Sequence, residues 1–198
     1  MCAWSGYRRG AETPRRVDVV VKGGLAIGAV VLLGIVVSAC SSPERQTAVT
    51  PQETGESAVV AYVNDGDTLR TADGRKVRLV QIDAPELHGD CYGKAALVAL
   101  LRLTPAGTRV RLVRDPALDA KDRYGRELRY VFNGDTNVTL ALVRAGAASP
   151  YFFRNERGRY ASELLAAARE ARSAQRGFWG ACPRAELNPG LGSVTGPG

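Results

Sequence analysis

The sequence predicts an α+β fold, mainly β: a five-stranded barrel with about three flanking helices. Three observations predict it. The elements read as three strands, a helix, two strands and two helices. No strand–helix–strand repeat points to a parallel sheet. Turn dipeptides fall at close intervals between short strand-like runs. Five short antiparallel strands with helices beside them suit a small barrel of the OB type.

Residues Ala58 to Asn64 (AVVAYVN) form the first strand-like run, and Asp65-Gly66 turns the chain. Thr68 to Thr71 returns as the second strand, and Asp73-Gly74 is a turn of the kind hairpins favour. Arg75 to Ile82 (RKVRLVQI) is the third strand, broken by Ala84-Pro85. A helix is expected over Gly93 to Leu103, stopped at Thr104-Pro105. Thr108 to Arg114 alternates apolar and basic residues, as a half-exposed strand does. Leu128 to Phe132 is the fifth strand, after the Tyr124-Gly125 turn. Val138 to Arg144 is a short helix closed by Gly146, and Glu156 to Gln175 a longer one with an Ala/Leu face and an Arg-rich face.

The chain has 198 residues, a formal charge of +7 and a pI near 9.5, which suits one domain with appendages and polyanionic partners. Arginine supplies most of the positive charge, and its planar fork matches phosphate oxygens. Arg8, Arg9, Arg15, Arg16 and Lys22 precede an uncharged apolar run from Gly23 to Val37. That run is short for a membrane span, which needs roughly 20 apolar residues, and suits an export signal. It ends in Val37-Ser38-Ala39-Cys40, which resembles a bacterial lipoprotein box, with Cys40 as the lipidated residue. A plain signal peptide or an uncleaved anchor with a chance cysteine is the alternative. The expected organisation is residues 1–40 as lipoprotein signal, 41–57 as flexible tether, 58–183 as the domain and 184–198 as a disordered tail. Such a chain is extracytoplasmic, held at the membrane by lipid or secreted. Cys91 and Cys182 remain as one pair, expected to form a disulfide outside the cytoplasm.

Three clusters carry candidate chemistry: Asp65-Gly66-Asp67-Thr68, the run from Arg78 to Glu86 (RLVQIDAPE), and Asp122-Arg123-Tyr124-Gly125-Arg126. Singly, each has an ordinary explanation as a hairpin turn, a helix cap or a loop. Together they supply the parts of a phosphodiester cleavage site. Asp67 and Asp83 are hard oxygen donors suited to a calcium ion that keeps several waters. Glu86, three residues past Asp83, is placed to act as general base. Arg78 and Arg126 can fork onto a phosphate and neutralise charge in the transition state. One condition follows. Arg78 and Asp83 are an odd number of residues apart, so a straight strand would aim them at opposite faces. The strand must bend near Ile82.

These clusters, with Gly93-Lys94-Ala95 and the late Gly177-Phe178-Trp179, resemble the staphylococcal nuclease (thermonuclease-like) family over roughly residues 58–180. The resemblance implies a Ca2+-dependent endonuclease acting on DNA and RNA and leaving 3′-phosphorylated ends. It implies Asp67 and Asp83 as calcium ligands, Ala84 as a third through its backbone carbonyl, and Asp65 as a carboxylate holding metal-bound water. It implies Arg78, Glu86 and Arg126 as the catalytic trio, Arg123 and Tyr124 on a terminal phosphate, and Tyr151 stacked on a base. Gln81 departs from the small or apolar residue usual before the Ile-Asp pair, which puts local packing in question. His88 reads as an exposed loop residue. No protein partner is implied, and a monomer is expected. The alternative function is an inactive nucleic-acid-binding OB-fold lipoprotein. A degenerate copy should lack at least one of Asp67, Arg78, Asp83, Glu86 or Arg126, and all five are present.

Overall fold

The structure, a computed structural model, describes residues 54–197. The expected signal, the lipidation site Cys40 and most of the tether lie outside the described residues. In chain order the elements are β1 (Glu56–Val63), β2 (Thr68–Thr71), β3 (Lys76–Leu79), β4 (Ile82–Asp83), α1 (Gly93–Leu103), β5 (Arg109–Val113), β6 (Glu127–Asn133), β7 (Thr136–Asn137), α2 (Val138–Arg144), β8 (Ser149–Pro150), α3 (Ala161–Ser173), α4 (Phe178–Ala181), β9 (Glu186–Asn188) and β10 (Gly192–Val194).

Five of these strands close a mixed barrel in the order β3-β2-β1-β5-β6, with β3 returning to β6. Every neighbour is antiparallel except the closing β3–β6 pair, which is parallel in the register Val77↔Glu127 to Leu79↔Arg129. The expectation of an all-antiparallel barrel fails at that seam alone. β1 is long enough to serve two partners. Its first half pairs with β5 from Glu56↔Leu112 to Val59↔Arg109, and its second half pairs with β2 from Val60↔Thr71 to Val63↔Leu69. A register irregularity between Val60 and Tyr62 lets the strand bend around the barrel. Glu56 and Ser57, expected in the tether, therefore belong to the barrel.

Alternation within the strands sends Val60, Leu69, Val77, Leu79, Val110, Leu112 and Val131 inward, all fully buried. Helix α1 covers one end with Ala96 and Leu100, and α2 adds Leu142 and Val143. The Asn137 side chain caps α2 by accepting from the Leu140 N–H at 3.1 Å. Helix α3 buries Leu164, Ala167, Ala168 and Ala171 in the same core, leaving Arg169 and Arg172 exposed. It starts at Ala161, later than expected. The preceding backbone is tied to the barrel instead: Gln81 Nε2 donates to the Glu156 carbonyl and the Gly158 N–H donates to Gln81 Oε1, both at 2.8 Å.

Cys91 and Cys182 are disulfide-bonded across a sequence separation of 91. Closing a loop of that size contributes about 4 to 5 kcal/mol in the chain-entropy account. The expected disordered tail is a correction: residues 186–194 form the β9–β10 hairpin, in the register Glu186↔Val194 to Asn188↔Gly192. It is held from outside. The Phe152 N–H donates to the Pro189 carbonyl at 2.7 Å, and the Cys91 N–H to the Gly196 carbonyl at 2.9 Å. The residues of the tail have too little apolar surface to pack by themselves, so their order comes from these partners.

Candidate active site

The required bend is present. β3 ends at Leu79, Gln81 takes φ 64, and β4 restarts at Ile82. A left-handed φ at a non-glycine residue is uncommon and needs compensation. Gln81 receives it from a buried hydrogen-bond set. Besides the bonds to residues 156 and 158, Tyr130 Oη donates to Gln81 Oε1 at 3.4 Å and the Tyr151 N–H donates to the Gln81 carbonyl at 2.9 Å. The polar side chain that disturbs the sequence pattern thus holds the turn.

That turn brings Arg78 onto both acids. Arg78 Nη2 donates to Asp83 Oδ1 at 2.7 Å, and Arg78 Nη1 lies 2.8 Å from Asp67 Oδ2. Arg78 Nη1 also donates to the Ile82 carbonyl at 2.9 Å. Asp67 Oδ2 further accepts from the Ala84 N–H at 2.8 Å, and Asp67 Oδ1 from Thr68 Oγ1 at 3.0 Å. Asp65 Oδ1 accepts from the Asp67 N–H at 3.1 Å. The acidic loop packs this closely because its middle residue is glycine. A Cβ on Gly66 would stand 2.6 Å from the Ala84 Cβ and 2.8 Å from the Ala96 Cβ.

Asp67 is only 6% exposed. Burial pushes its carboxyl up to about 7, Arg78 pulls it down, and Asp65 and Asp83 push it up again. A folded-state value above the ordinary 3.8 means the folded chain binds a proton the unfolded chain releases. The sign follows: without a bound cation, the contribution of Asp67 to stability falls as pH rises from 3.8 to about 7. Thermal melts in chelator across that range should show it as the difference in slope between the wild-type chain and Asp67→Asn. A slope unchanged by Asp67→Asn would contradict this.

Three carboxylates thus act on one another with a single guanidinium between two of them, a donor set with unbalanced negative charge. Its chemistry fits a hard divalent cation. Among the described residues no group of three or more His, Cys, Asp or Glu side chains is disposed to hold a metal by itself. The backbone carbonyl of Ala84 and water would have to complete the coordination, which calcium tolerates.

Asp122 organises the third cluster. Its Oδ2 accepts from Arg126 Nε at 2.6 Å, and its Oδ1 accepts from the Arg126 and Tyr124 N–H groups, each at 2.9 Å. Burial works against the Asp122 charge, but the Arg126 hydrogen bonds win and hold its carboxyl below the usual range. Arg126 is thereby fixed through Nε. Among the described residues its two terminal nitrogens carry no hydrogen bond. Arg123 and Tyr124 are exposed, with Arg123 Nη2 donating to Tyr124 Oη at 2.5 Å and its guanidinium 4.7 Å from the ring centroid.

One cleft of about 640 Å³ gathers Arg78, Arg123, Tyr124, Arg126 and Tyr151, residues drawn from three separate segments. Phe153, which the sequence reading did not single out, also lines it and is 54% exposed. Glu86 does not line the cleft. It sits exposed on the loop after Pro85, and its backbone N–H donates to Asp90 Oδ2 at 2.9 Å. Among the described residues its carboxylate has no hydrogen bond or ion pair. His88 is exposed on the same loop. The arginine-rich surface is not one free stripe: Arg176 pairs with Glu170, and Arg159 lies 3.7 Å from Asp115.

Two further residues were not anticipated: Asp122 as the holder of Arg126, and Ser193, which donates to Asp83 from the tail. The four-residue spacing of Asp122 and Arg126 around Gly125 was a usable signal for the first. None marked the second.

Comparison with known proteins gives consistent matches. A family model described as staphylococcal nuclease homologue matches residues 76–181. The chain is 34% identical over 134 residues to a thermonuclease of Staphylococcus intermedius, covering 63% of this chain and 77% of that protein. It is 33% identical over 131 residues to an uncharacterized endonuclease of Haemophilus influenzae, covering 64% of each. Endonuclease YncB of Bacillus subtilis is 28% identical over 147 residues, with 68% of this chain and 69% of that protein covered.

Proposed function

The chain belongs to the staphylococcal nuclease homologue family, and from that premise we propose that it is a calcium-dependent nuclease. It hydrolyses phosphodiester bonds of DNA and RNA and leaves 3′-phosphorylated ends. The observation that carries this reading is the single cleft in which Arg78, Arg126, Arg123, Tyr124 and Tyr151 meet, with Arg78 spanning the acids Asp67 and Asp83.

Each residue has a role that follows from its surroundings. Asp67, Asp83 and the Ala84 carbonyl would hold the ion, and Asp65 would hold a water beside it. A calcium ion bound there supplies Lewis-acid polarisation of a phosphoryl oxygen. Glu86, with an unengaged carboxylate, takes the proton from the attacking water. Arg126 offers two free terminal nitrogens to the phosphoryl oxygens, and Arg78 adds a second cation beside them. Arg123 and Tyr124 grip a neighbouring phosphate, and Tyr151 presents a ring face to a base.

The proposal includes export and a lipid anchor at Cys40, with the tether behind it. The Cys91–Cys182 disulfide supports an oxidising compartment.

The deciding assay incubates the purified chain with single-stranded DNA and with RNA, in calcium or in chelator. Cleavage of both in calcium and of neither in chelator is expected. Equal cleavage in chelator would remove the metal from the proposal. Tight nucleic-acid binding without cleavage under any condition would favour an inactive binding module.

A further inference from the structure

The two carboxylate oxygens of Asp83 have different surroundings. Oδ1 accepts from Arg78 at 2.7 Å. Oδ2 accepts twice from one residue, from the Ser193 N–H at 3.0 Å and from Ser193 Oγ at 2.9 Å. Ser193 lies 110 positions away in sequence and outside residues 76–181, the segment that matches the family.

The approach is built into the backbone. Gly192 takes φ +85, and a Cβ there would stand 2.6 Å from Asp83 Oδ2 and 2.8 Å from the Asp83 Cβ. Only glycine lets the hairpin come this near. Ser193 pairs with Leu187 across the hairpin, while its N–H is turned outward to Asp83. The hairpin is fixed on either side of this contact, by Phe152 at Pro189 and by Cys91 at Gly196, with a further bridge between Asp90 and Pro197. Its far end is thus tied to the same loop that carries Glu86.

We propose that Ser193 is a positioning residue for the cation site. It holds Asp83 by Oδ2, so that the carboxylate keeps one orientation, with Oδ1 on Arg78, whether or not an ion is bound. A carboxylate that rotates freely must be ordered each time an ion binds, and a partner that orders it beforehand removes that cost. The C-terminal hairpin is then part of the site. This inference rests on the calcium reading above.

The test uses the full chain, its Ser193→Ala variant and its Ser193→Thr variant. Calcium affinity is measured by titration calorimetry and, independently, by terbium luminescence. Melting temperature in chelator is measured alongside. Outer partners of metal ligands typically change affinity about 10- to 100-fold. Because the Ser193 N–H survives in alanine, a loss of about tenfold is expected for Ser193→Ala. Ser193→Thr should recover it, and the single hydrogen bond lost in Ser193→Ala should lower the melting temperature in chelator by only a few degrees. The calcium concentration for half-maximal turnover should rise in step with the loss of affinity.

Wild-type affinity in Ser193→Ala, beside a wild-type chain that binds calcium, overturns this inference alone. A loss that threonine does not repair, or that comes with a melting temperature lowered by much more than a few degrees, assigns Ser193 to stability and overturns it as well. A wild-type chain that binds no calcium overturns the calcium reading together with the inference.

Discussion

Glu86→Gln is expected to lower turnover about 10²- to 10⁴-fold, the range general bases contribute, while leaving nucleotide affinity close to wild type. The substitution keeps the size and shape of the side chain and removes only its ability to take a proton. Glu86 is exposed, and no hydrogen bond or ion pair of its carboxylate is lost. Its backbone N–H bond to Asp90 is indifferent to the side chain. Stability should therefore be unaffected, so a fall in rate reports chemistry. The check is single-turnover cleavage of a defined oligonucleotide in saturating calcium, paired with the dissociation constant of a nucleotide product. Wild-type turnover would end the general-base assignment.

Arg126→Ala should be the next most damaging change, with a loss of about 10²- to 10³-fold in turnover, as for removal of a donor to a developing oxyanion. Arg126 is aimed by Asp122 through Nε, which leaves its terminal nitrogens for substrate. Lysine cannot reproduce this division of labour, because its ammonium has no second nitrogen to be held by. Arg126→Lys should thus recover little. Asp122→Asn weakens the hold without removing the cation and should cost less. The double variant Asp122→Asn/Arg126→Ala should be only slightly slower than Arg126→Ala, since all that Asp122 still holds there are the backbone N–H groups of residues 124 and 126. Additive losses would show that Asp122 acts by another route.

The barrel was legible because its turns are local events. Asp65-Gly66 and Asp73-Gly74 announce reversals within a few residues, and the apolar alternation between them says which side chains go inward. The parallel β3–β6 seam was not legible. It joins segments about fifty residues apart, and neither Val77 nor Leu128 carries a mark of its partner. The cleft residues were found because their types and spacing are chemically unusual together. The supports of the cleft were harder to find. Gln81 looked like an anomaly in a strand, and its purpose appears only when Tyr130, Glu156, Gly158 and Tyr151 converge on it. The tail was misread for the same reason. A segment reading NPGLGSVTGPG has no periodicity, and its order is borrowed from Asp83, Phe152 and Cys91.

The cystine divides the molecule mechanically. Traction applied between residues 54 and 197 enters at β1 and at the C-terminal hairpin, and cannot extend the chain between Cys91 and Cys182. About 300 Å of contour, at roughly 3.3 Å per residue, is shielded from the load. Asp67, Asp83 and Glu86 lie on the strained arm before the ring, whereas Arg123, Tyr124 and Arg126 lie inside it. A tug on this protein would pull those carboxylates, and Arg78 with them, away from Arg123, Tyr124 and Arg126 before the ring itself gave way.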